Sequence, residues 1–256
     1  MREASSVRRR NATPRPPAPP SCHTSGGWYG ERMASTYLVT GASRGLGAEF
    51  VKQLCDRDHH VLAAVRDPSR ADVARRQGAT VVKLDVDRPE TFDAFAASLD
   101  RPVDVLVNNA GIADTDATLA SLTPETMDRV HRTNVIGPAL LAKALFPVLR
   151  RSERRAVVNV SSGLGSLAGT PGGFSYAYCM SKAALNMLTV LLHRELSGDG
   201  FTVVSLDPGW NRTDMGGRGA PLDPADTVRA MVGILERLDR ADSGKFLGWD
   251  GQPRAW

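Results

Sequence analysis

The length and composition of the chain exclude several classes of protein. Its 256 residues are enough for one large hydrophobic core, and 42% hydrophobic with 23% charged residues is an ordinary balance for a globular domain. No apolar run reaches the roughly 18–20 residues that a transmembrane helix needs, so we expect no membrane span. The 3 cysteines have no paired spacing, which argues against a disulfide framework or a metal site and favours a reducing, cytoplasmic location.

The net charge of +4 comes from the N-terminal region alone. Residues 1–32 contain six arginines and two glutamates, so this region accounts for the whole excess and residues 33–256 are formally neutral. Nucleic-acid-binding proteins usually present a basic face on the folded domain. We therefore expect no nucleic-acid partner.

Residues 1–32 are rich in proline and arginine and poor in apolar side chains. Proline lacks an N–H donor, and few apolar groups are present to offset the entropy lost on ordering, so we expect a disordered extension. The composition also resembles an organellar transit peptide, whereas no apolar stretch indicates a secretory signal. Met33 directly precedes the first predicted strand, and we favour a non-functional extension over a targeting segment.

From residue 35 onward, short apolar strands alternate with helical stretches. The predicted strands are Thr36–Thr40, His60–Val65, 80–84, 103–107, Ala156–Val160 and 202–206. The predicted helical segments are 48–55, 90–99, 123–150, 176–197 and 224–238. Apolar strands separated by helices are typical of a parallel sheet covered on both faces, and right-handed crossovers make such a sheet doubly wound. The sequence therefore predicts an α/β, Rossmann-type fold that forms a single domain over 33–256.

The segment TGASRGLG, residues 40–47, lies between the first strand and the first helix. Glycines let backbone N–H groups approach a phosphate, and a helix N-terminus favours negative charge. The same residues match the G-x-S-x-G elbow of a hydrolase with Ser43 as nucleophile, which would need a later histidine on a loop. His59 and His60 come too early, and His131 and His193 fall within predicted helices. We therefore predict a dinucleotide-binding loop and consider the hydrolase unlikely.

The residues after the second strand bear on the choice of cofactor. An acidic residue at this position binds the 2′-hydroxyl of NAD, whereas arginine accommodates the 2′-phosphate of NADP. Here Val65 ends the strand and Arg66 follows, and Arg44 of the glycine loop supplies a second guanidinium suited to phosphate. The alternative is that Arg66 is a solvated charge and Asp67 binds the ribose. We predict NADP(H), with NAD(H) less favoured.

Tyr178 and Lys182 are four positions apart in a predicted helix, so their side chains share one face. A tyrosine with its ordinary pKa of about 10 is a poor proton donor and acceptor at neutral pH. A neighbouring ammonium stabilises the phenolate and lowers that pKa. The pair is therefore a candidate for general acid–base catalysis.

Further polar motifs follow the predicted strands in order. NNAG occupies 108–111, NVSSG occupies 159–163, PG occupies 208–209, and Asn134 lies between the first two. Carboxyl ends of parallel strands are where doubly wound sheets bind ligands. The whole set resembles the short-chain dehydrogenase/reductase family across 35–256, and in particular the carbonyl-reductase-like branch related to bacterial C-factor. Segments 207–217 and 249–256 also resemble that branch.

The resemblance implies a site whose residues can be named here. Ser162, Tyr178, Lys182 and Asn134 would be catalytic. The motifs and the resemblance together predict the following cofactor-binding residues: Gly41, Ser43, Arg44, Gly45, Leu46, Gly47, Arg66, Asp85, Val86, Asn108, Ala110, Gly111, Tyr178, Lys182, Pro208, Gly209 and Thr213.

The serine assignment involves one departure from the family pattern. Family members often separate serine and tyrosine by 13 positions, whereas Ser162 and Tyr178 are 16 apart. Ser161 and Ser166 therefore stay open as alternatives. We favour Ser162 because it keeps the S-x-x-G pattern at the strand end, with the additional residues in loop 169–173.

The resulting hypothesis is hydride transfer between NADP(H) and a small carbonyl or alcohol substrate, with Tyr178 as general acid/base. The alternative is an NADP(H)-binding signalling or regulatory protein with little turnover. We expect Phe174, Tyr176, Trp210 and Met215 to border the substrate pocket. The family often pairs through the helices that correspond to 123–150 and 176–197, so a homo-oligomer is a further expectation.

Overall fold

A computed structural model describes residues 34–114, 118–169 and 175–256. The predictions for residues 1–32, for Phe174 and for most of loop 169–173 lie outside the described residues. None of the described helices is both long and apolar enough to cross a bilayer.

The described residues form a seven-stranded parallel sheet with the order β3-β2-β1-β4-β5-β6-β7. The chain runs outward from β1 to β3 and then returns to the other side of β1, which makes the boundary between β1 and β4 the switch point of the sheet. The strands are β1 Thr36–Thr40, β2 His60–Val65, β3 Thr80–Lys83, β4 Val105–Asn108, β5 Ala156–Val160, β6 Thr202–Asp207 and β7 Phe246–Gly248.

Helices connect the strands and cover the sheet. They are α1 Gly45–Cys55, α2 Asp72–Arg76, α3 Phe92–Ala97, α4 Pro124–His131, α5 Gly137–Arg150, α6 Tyr176–Leu196 and α7 Pro224–Arg237. A π-helical turn, Arg132–Ile136, joins α4 to α5, so the helix predicted over 123–150 consists of three consecutive segments. The short elements α2 and β7 were not predicted from the sequence.

Both faces of the sheet are packed, as the apolar strands predict. Tyr37 and Val39 of β1 point into one core with α1 and α7, where Phe50 and Met231 are fully buried. Leu38 of the same strand points to the opposite core with α3 and α5. The alternation along β1 is the ordinary period of a strand, and two covered faces confirm the doubly wound α/β fold.

Candidate active site

The glycine loop between β1 and α1 opens onto a cleft of about 520 Å³ at the carboxyl ends of the strands. Gly41 and Gly45 have φ of 65° and 56°, a region that favours glycine. A side-chain carbon on Gly47 would overlap the carbonyl oxygen of Gly41, so this position also requires glycine. Because α1 begins at Gly45, its first unpaired N–H groups lie beside the cleft. The loop is built to hold an anion.

Most of the predicted cofactor residues line this cleft. They are Gly41, Ser43, Arg44, Gly45, Leu46, Gly47, Arg66, Asp85, Val86, Ala110, Gly111 and Thr213. The lining also includes Asp67, the alternative ribose partner, and residues that the sequence motifs did not assign to the cofactor, among them Arg70, Asp87, Asn109, Thr133 and Asp214.

Asn108 lies beneath the cleft, whereas its neighbour Asn109 lines it. Asn108 is the last residue of β4, is 2% exposed, and donates its side-chain N–H to Asn159 Oδ1 at 2.9 Å. Asn109 donates its side-chain N–H to the Thr40 carbonyl at 2.8 Å and its backbone N–H to Thr40 Oγ1 at 3.0 Å. The predicted strand ended one residue too early, which hid the inward orientation of Asn108. Tyr178, Lys182, Pro208 and Gly209 also lie outside the lining, although Lys182 Nζ lies next to Gly111, which belongs to it.

Three arginines and four aspartates contribute charge to the lining of the cleft: Arg44, Arg66, Arg70, Asp67, Asp85, Asp87 and Asp214. The carboxylate of Asp67 is turned back to its own loop, since it accepts hydrogen bonds from the Ser69 hydroxyl at 2.7 Å and backbone N–H at 3.0 Å. These bonds lower the pKa of Asp67. Both bonds end on Oδ1, and Asp67 also lines the cleft, so it stays the alternative partner for a ribose hydroxyl.

Arg44 contacts Asp214 across the mouth of the cleft, with 3.1 Å between Nη1 and Oδ2. Both side chains are 78% exposed, so solvent screens the pair and its contribution to stability is small. The guanidinium can leave this partner for a bound phosphate at little cost.

Tyr178 and Lys182 lie together on α6, as their spacing predicts. Lys182 is 4% exposed; its Nζ donates to the Val160 carbonyl at 2.8 Å and lies 5.6 Å from the centre of the Tyr178 ring. Burial lowers the pKa of Lys182 to about 8. Desolvation raises the pKa of the Tyr178 phenol, and the hydrogen bond with Ser162 lowers it. Desolvation is the larger effect, and the resulting pKa is about 12. In this arrangement burial, and not the neighbouring ammonium, dominates the pKa of Tyr178.

The three candidate serines have different partners. Ser162 shares a hydrogen bond with Tyr178, and its Oγ also accepts the Leu164 N–H at 3.2 Å. Ser161 donates to Asn186 Oδ1 at 2.6 Å inside the protein, and Ser166 accepts the Gly169 N–H at 2.8 Å. Only Ser162 of the three has Tyr178 as a partner among the described residues.

Asn134 lies in the π-helical turn and is fully buried. Its side-chain N–H groups donate to the Ile112 carbonyl at 2.8 Å and to Ser181 Oγ at 2.9 Å, and its Oδ1 accepts the Ile112 N–H at 2.9 Å. A side-chain carbon on Gly111 would lie 3.4 Å from Asn134 Oδ1 and 3.6 Å from Lys182 Nζ. Asn134 thus joins the loop after β4 to the helix that holds Lys182.

The histidines are placed away from Ser43. His131 contacts the Met127 carbonyl at 3.0 Å within α4, and His193 contacts Ser243 Oγ at 2.8 Å. His59 contacts the backbone of Ser35 near the start of β1, at the opposite end of the sheet. No hydrogen bond joins Ser43 to a histidine within the described parts of the chain. The geometry therefore does not support the hypothesis of a hydrolase with Ser43 as nucleophile.

Three of the residues expected to border the substrate pocket have exposed side chains, and one of them lines the cleft. Tyr176, Trp210 and Met215 are 41%, 59% and 54% exposed, and Met215 also lines the cleft. Trp210 Nε1 donates to the Gly216 carbonyl at 2.8 Å, which ties its ring to the loop after β6.

A doubly wound sheet with a glycine loop at its switch point defines a dinucleotide-binding, Rossmann-type domain. The family model described as short chain dehydrogenase matches residues 35–220, and the chain belongs to this family of oxidoreductases.

Similar proteins agree with this assignment. C-signal of Myxococcus xanthus is 41% identical over 164 residues, which cover 64% of this chain and 99% of that protein. The structure of carbonyl reductase Sniffer of D. melanogaster matches with a TM-score of 0.83 at 33% identity, covering 87% of this chain and 100% of that one. The structure of NADPH-bound carbonyl reductase from chicken fatty liver matches with a TM-score of 0.81 at 34% identity, covering 87% and 99%.

Proposed function

We propose that the protein is an NADP(H)-dependent oxidoreductase that interconverts a small carbonyl compound and its alcohol, with Tyr178 as the general acid/base. The observation that supports this most strongly is the convergence of Tyr178, Ser162 and Lys182 at the carboxyl end of the sheet, where Lys182 lies next to Gly111 of the cleft lining.

The residues around the cleft fit NADP(H). The N–H groups at the start of α1 suit the pyrophosphate, and Arg44 and Arg66 suit the 2′-phosphate. Asp85 also lines the cleft, and we assign it to the adenine region, as the family resemblance implies. Arg70 adds a third guanidinium to the lining of the cleft. The NADPH named for the chicken carbonyl reductase structure supports the preference over NAD(H). When bound, the nicotinamide supplies or accepts the hydride.

The chain's own residues move the proton and stabilise charge. With a pKa near 12, Tyr178 holds its proton at neutral pH and can donate it to a substrate oxygen on which negative charge develops. Ser162 donates a second hydrogen bond to the same oxygen. Lys182, with a pKa near 8, exchanges protons close to neutral pH and stabilises the phenolate left behind. Asn134 holds the loop after β4 against α6, beside Lys182. The second lone pair of its Oδ1 can accept a hydrogen bond from a water molecule.

The second candidate function is a regulatory protein that binds NADP(H) with little turnover. The similarity to C-signal is the observation that favours it. Against it, the tyrosine, lysine, serine and asparagine of the catalytic set are all present in the sequence.

The test is oxidation of NADPH and of NADH by the full chain against a panel of aldehydes, ketones and quinones, with cofactor binding measured in parallel. We expect turnover with at least one carbonyl class, and a kcat/KM for NADPH at least about 10-fold above that for NADH, because one phosphate–arginine pairing is worth about that much. Tight NADPH binding without turnover of any carbonyl would favour the regulator. Equal kcat/KM values for NADH and NADPH would contradict the preference for NADP(H) but not the proposed reaction.

A further inference from the structure

A mostly buried carboxylate lies beside Gly163, the residue that follows the proposed catalytic serine. Asp207 ends β6, and its side chain is 11% exposed. Its Oδ1 accepts the Gly209 N–H at 2.9 Å, and a side-chain carbon on Gly163 would lie 3.3 Å from its Oδ2. The negative charge of Asp207 raises the pKa of Tyr178. A carboxylate here therefore opposes formation of the phenolate.

The C-terminal segment, residues 249–256, brings a guanidinium to this carboxylate. Arg254 Nε lies 3.5 Å from Asp207 Oδ2. Its backbone N–H donates to the Phe246 carbonyl at 2.7 Å, and Pro253 forms an antiparallel bridge with Leu247 of β7. The segment thus folds back along the sheet edge, which fixes the position of Arg254.

The same segment is tied to the sheet and to the serine loop at other points. The Trp249 N–H donates to the Asp207 carbonyl at 2.7 Å. The Trp256 carbonyl accepts the Ala168 N–H at 3.1 Å, and its ring stacks on Phe246 with 5.4 Å between ring centres. These contacts hold the segment against both β7 and the loop that begins at Ser162.

We propose that Arg254 is a positioning residue that neutralises Asp207 behind the Ser162–Tyr178 pair and thereby sets the pH range in which Tyr178 transfers its proton. The inference rests on the proposed function, since it assumes that Tyr178 is the acid/base. Arg254 is the one partner with which Asp207 forms an ion pair within residues 34–114, 118–169 and 175–256.

The charged and titratable groups around these residues come from several elements. Cys179 and Lys182 share α6 with Tyr178, and Asp207 faces it from β6. On the far side, Asp250 contacts Arg254 Nη2 at 3.3 Å. Because Asp207 is mostly buried, its field on Tyr178 is screened less than that of an exposed carboxylate. Removing Arg254 should therefore leave the negative charge of Asp207 unpaired, which would raise the pKa of Tyr178 further.

The experiment is a charge cycle with Arg254→Met, Asp207→Asn and the double variant. Two readouts are used: the pH profile of kcat/KM, and the pH titration of tyrosinate absorbance with Tyr178→Phe as baseline. Arg254→Met should move the Tyr178 transition to higher pH by roughly half a unit or more, and Asp207→Asn should move it to lower pH. The double variant should return close to the parent protein, because both charges are gone. Arg254→Lys should restore most of the parent profile.

Arg237→Met is the matched control, since it removes one exposed arginine near Gly251 of the same region without removing a partner of Asp207. It should leave the profile unchanged. An unshifted profile in Arg254→Met, or a shift that persists in the double variant, would overturn the proposal. If Arg254→Met fails to fold, the pH profile of Asp207→Asn alone tests the proposal. An unshifted profile in that variant would also overturn it. Retention of turnover by Tyr178→Phe would instead refute the proposed function.

Discussion

The two ends of the sheet both contain buried polar side chains, but they use them differently. At the amino end, Asp104 accepts hydrogen bonds from the Thr36 N–H at 2.6 Å and from Ser152 Oγ at 2.5 Å. Arg154 there donates to the Tyr37 hydroxyl at 3.2 Å and to the Leu235 carbonyl. At the carboxyl end, Lys182 lies next to Gly111 of the cleft lining, and its Nζ is 5.6 Å from the centre of the Tyr178 ring.

Burial of polar groups is therefore not what distinguishes the functional end. The amino-end groups join β1, the loop before β5 and α7 through bonds that end on other protein groups, which is the ordinary way to satisfy buried polar atoms. At the carboxyl end, Lys182 lies next to Gly111, one of the glycines that line the cleft. The expected effects of substitution follow this division: the amino end should affect stability, and the carboxyl end should affect binding and turnover.

The largest effect on cofactor binding should follow Gly47→Ala at the carboxyl end. The added methyl group would overlap the Gly41 carbonyl, so the glycine loop must move away from its phosphate-binding shape. We expect NADPH affinity, measured by fluorescence titration, to fall at least about 100-fold. Gly233→Ala is the control: its nearest neighbour beyond the helix backbone is Arg237 Nη1 at 3.7 Å, and alanine there should stabilise α7 slightly. Equal affinity of the two variants would contradict the loop assignment.

The next effect is on the pH dependence of stability. Burial lowers the pKa of Lys182 from 10.5 to about 8, so between pH 8 and 10 the unfolded chain binds more protons than the folded one. The free energy of unfolding therefore rises with pH in this window. Relative to Lys182→Met, the parent protein should gain about 2 kcal/mol between pH 7 and pH 10 in urea denaturation. The measurement ends at pH 10 because the raised pKa of Tyr178 makes the free energy of unfolding fall with pH at higher values. A constant difference would show that Lys182 titrates normally.

The smallest effect should come from the amino end. Arg154→Met removes donors to Ser35, Tyr37 and Leu235 and should lower the free energy of unfolding by about 1–2 kcal/mol, measured by urea denaturation. Both kcat and the KM for NADPH should be unchanged. A change in KM without loss of stability would break the division between the two ends.

The sequence predicted the large elements because their patterns are long enough to read. Six of the strands, the long helix α6 and the glycine loop lie where expected. The strand β7 has three residues and α2 has five, which is too short for a period to show. The π-helical turn was hidden because its residues continue the helical pattern of 123–150, and it is this turn that contains Asn134.

The site was predictable where a motif fixes a residue and not where only the fold brings residues together. The spacing of Tyr178 and Lys182 placed both on one face of α6. Arg70 enters the cleft through a short helical turn that no motif signals. Asp207 and Arg254 are distant in sequence and meet only because the chain folds back after β7. Burial reverses the expected shift in the Tyr178 pKa, which spacing alone does not reveal.

The most direct test of the account compares loss of the same hydroxyl group at the two ends of the sheet. Tyr178→Phe should lower NADPH-dependent carbonyl reduction by at least about 1000-fold in kcat, because the proton donor is lost, with NADPH affinity nearly unchanged. Tyr37→Phe removes the hydroxyl that contacts Arg154 and should cost about 1 kcal/mol of stability while kcat stays at the parent value. Turnover retained by Tyr178→Phe, measured on protein shown to be folded and to bind NADPH, would contradict the assignment of Tyr178 as the acid/base.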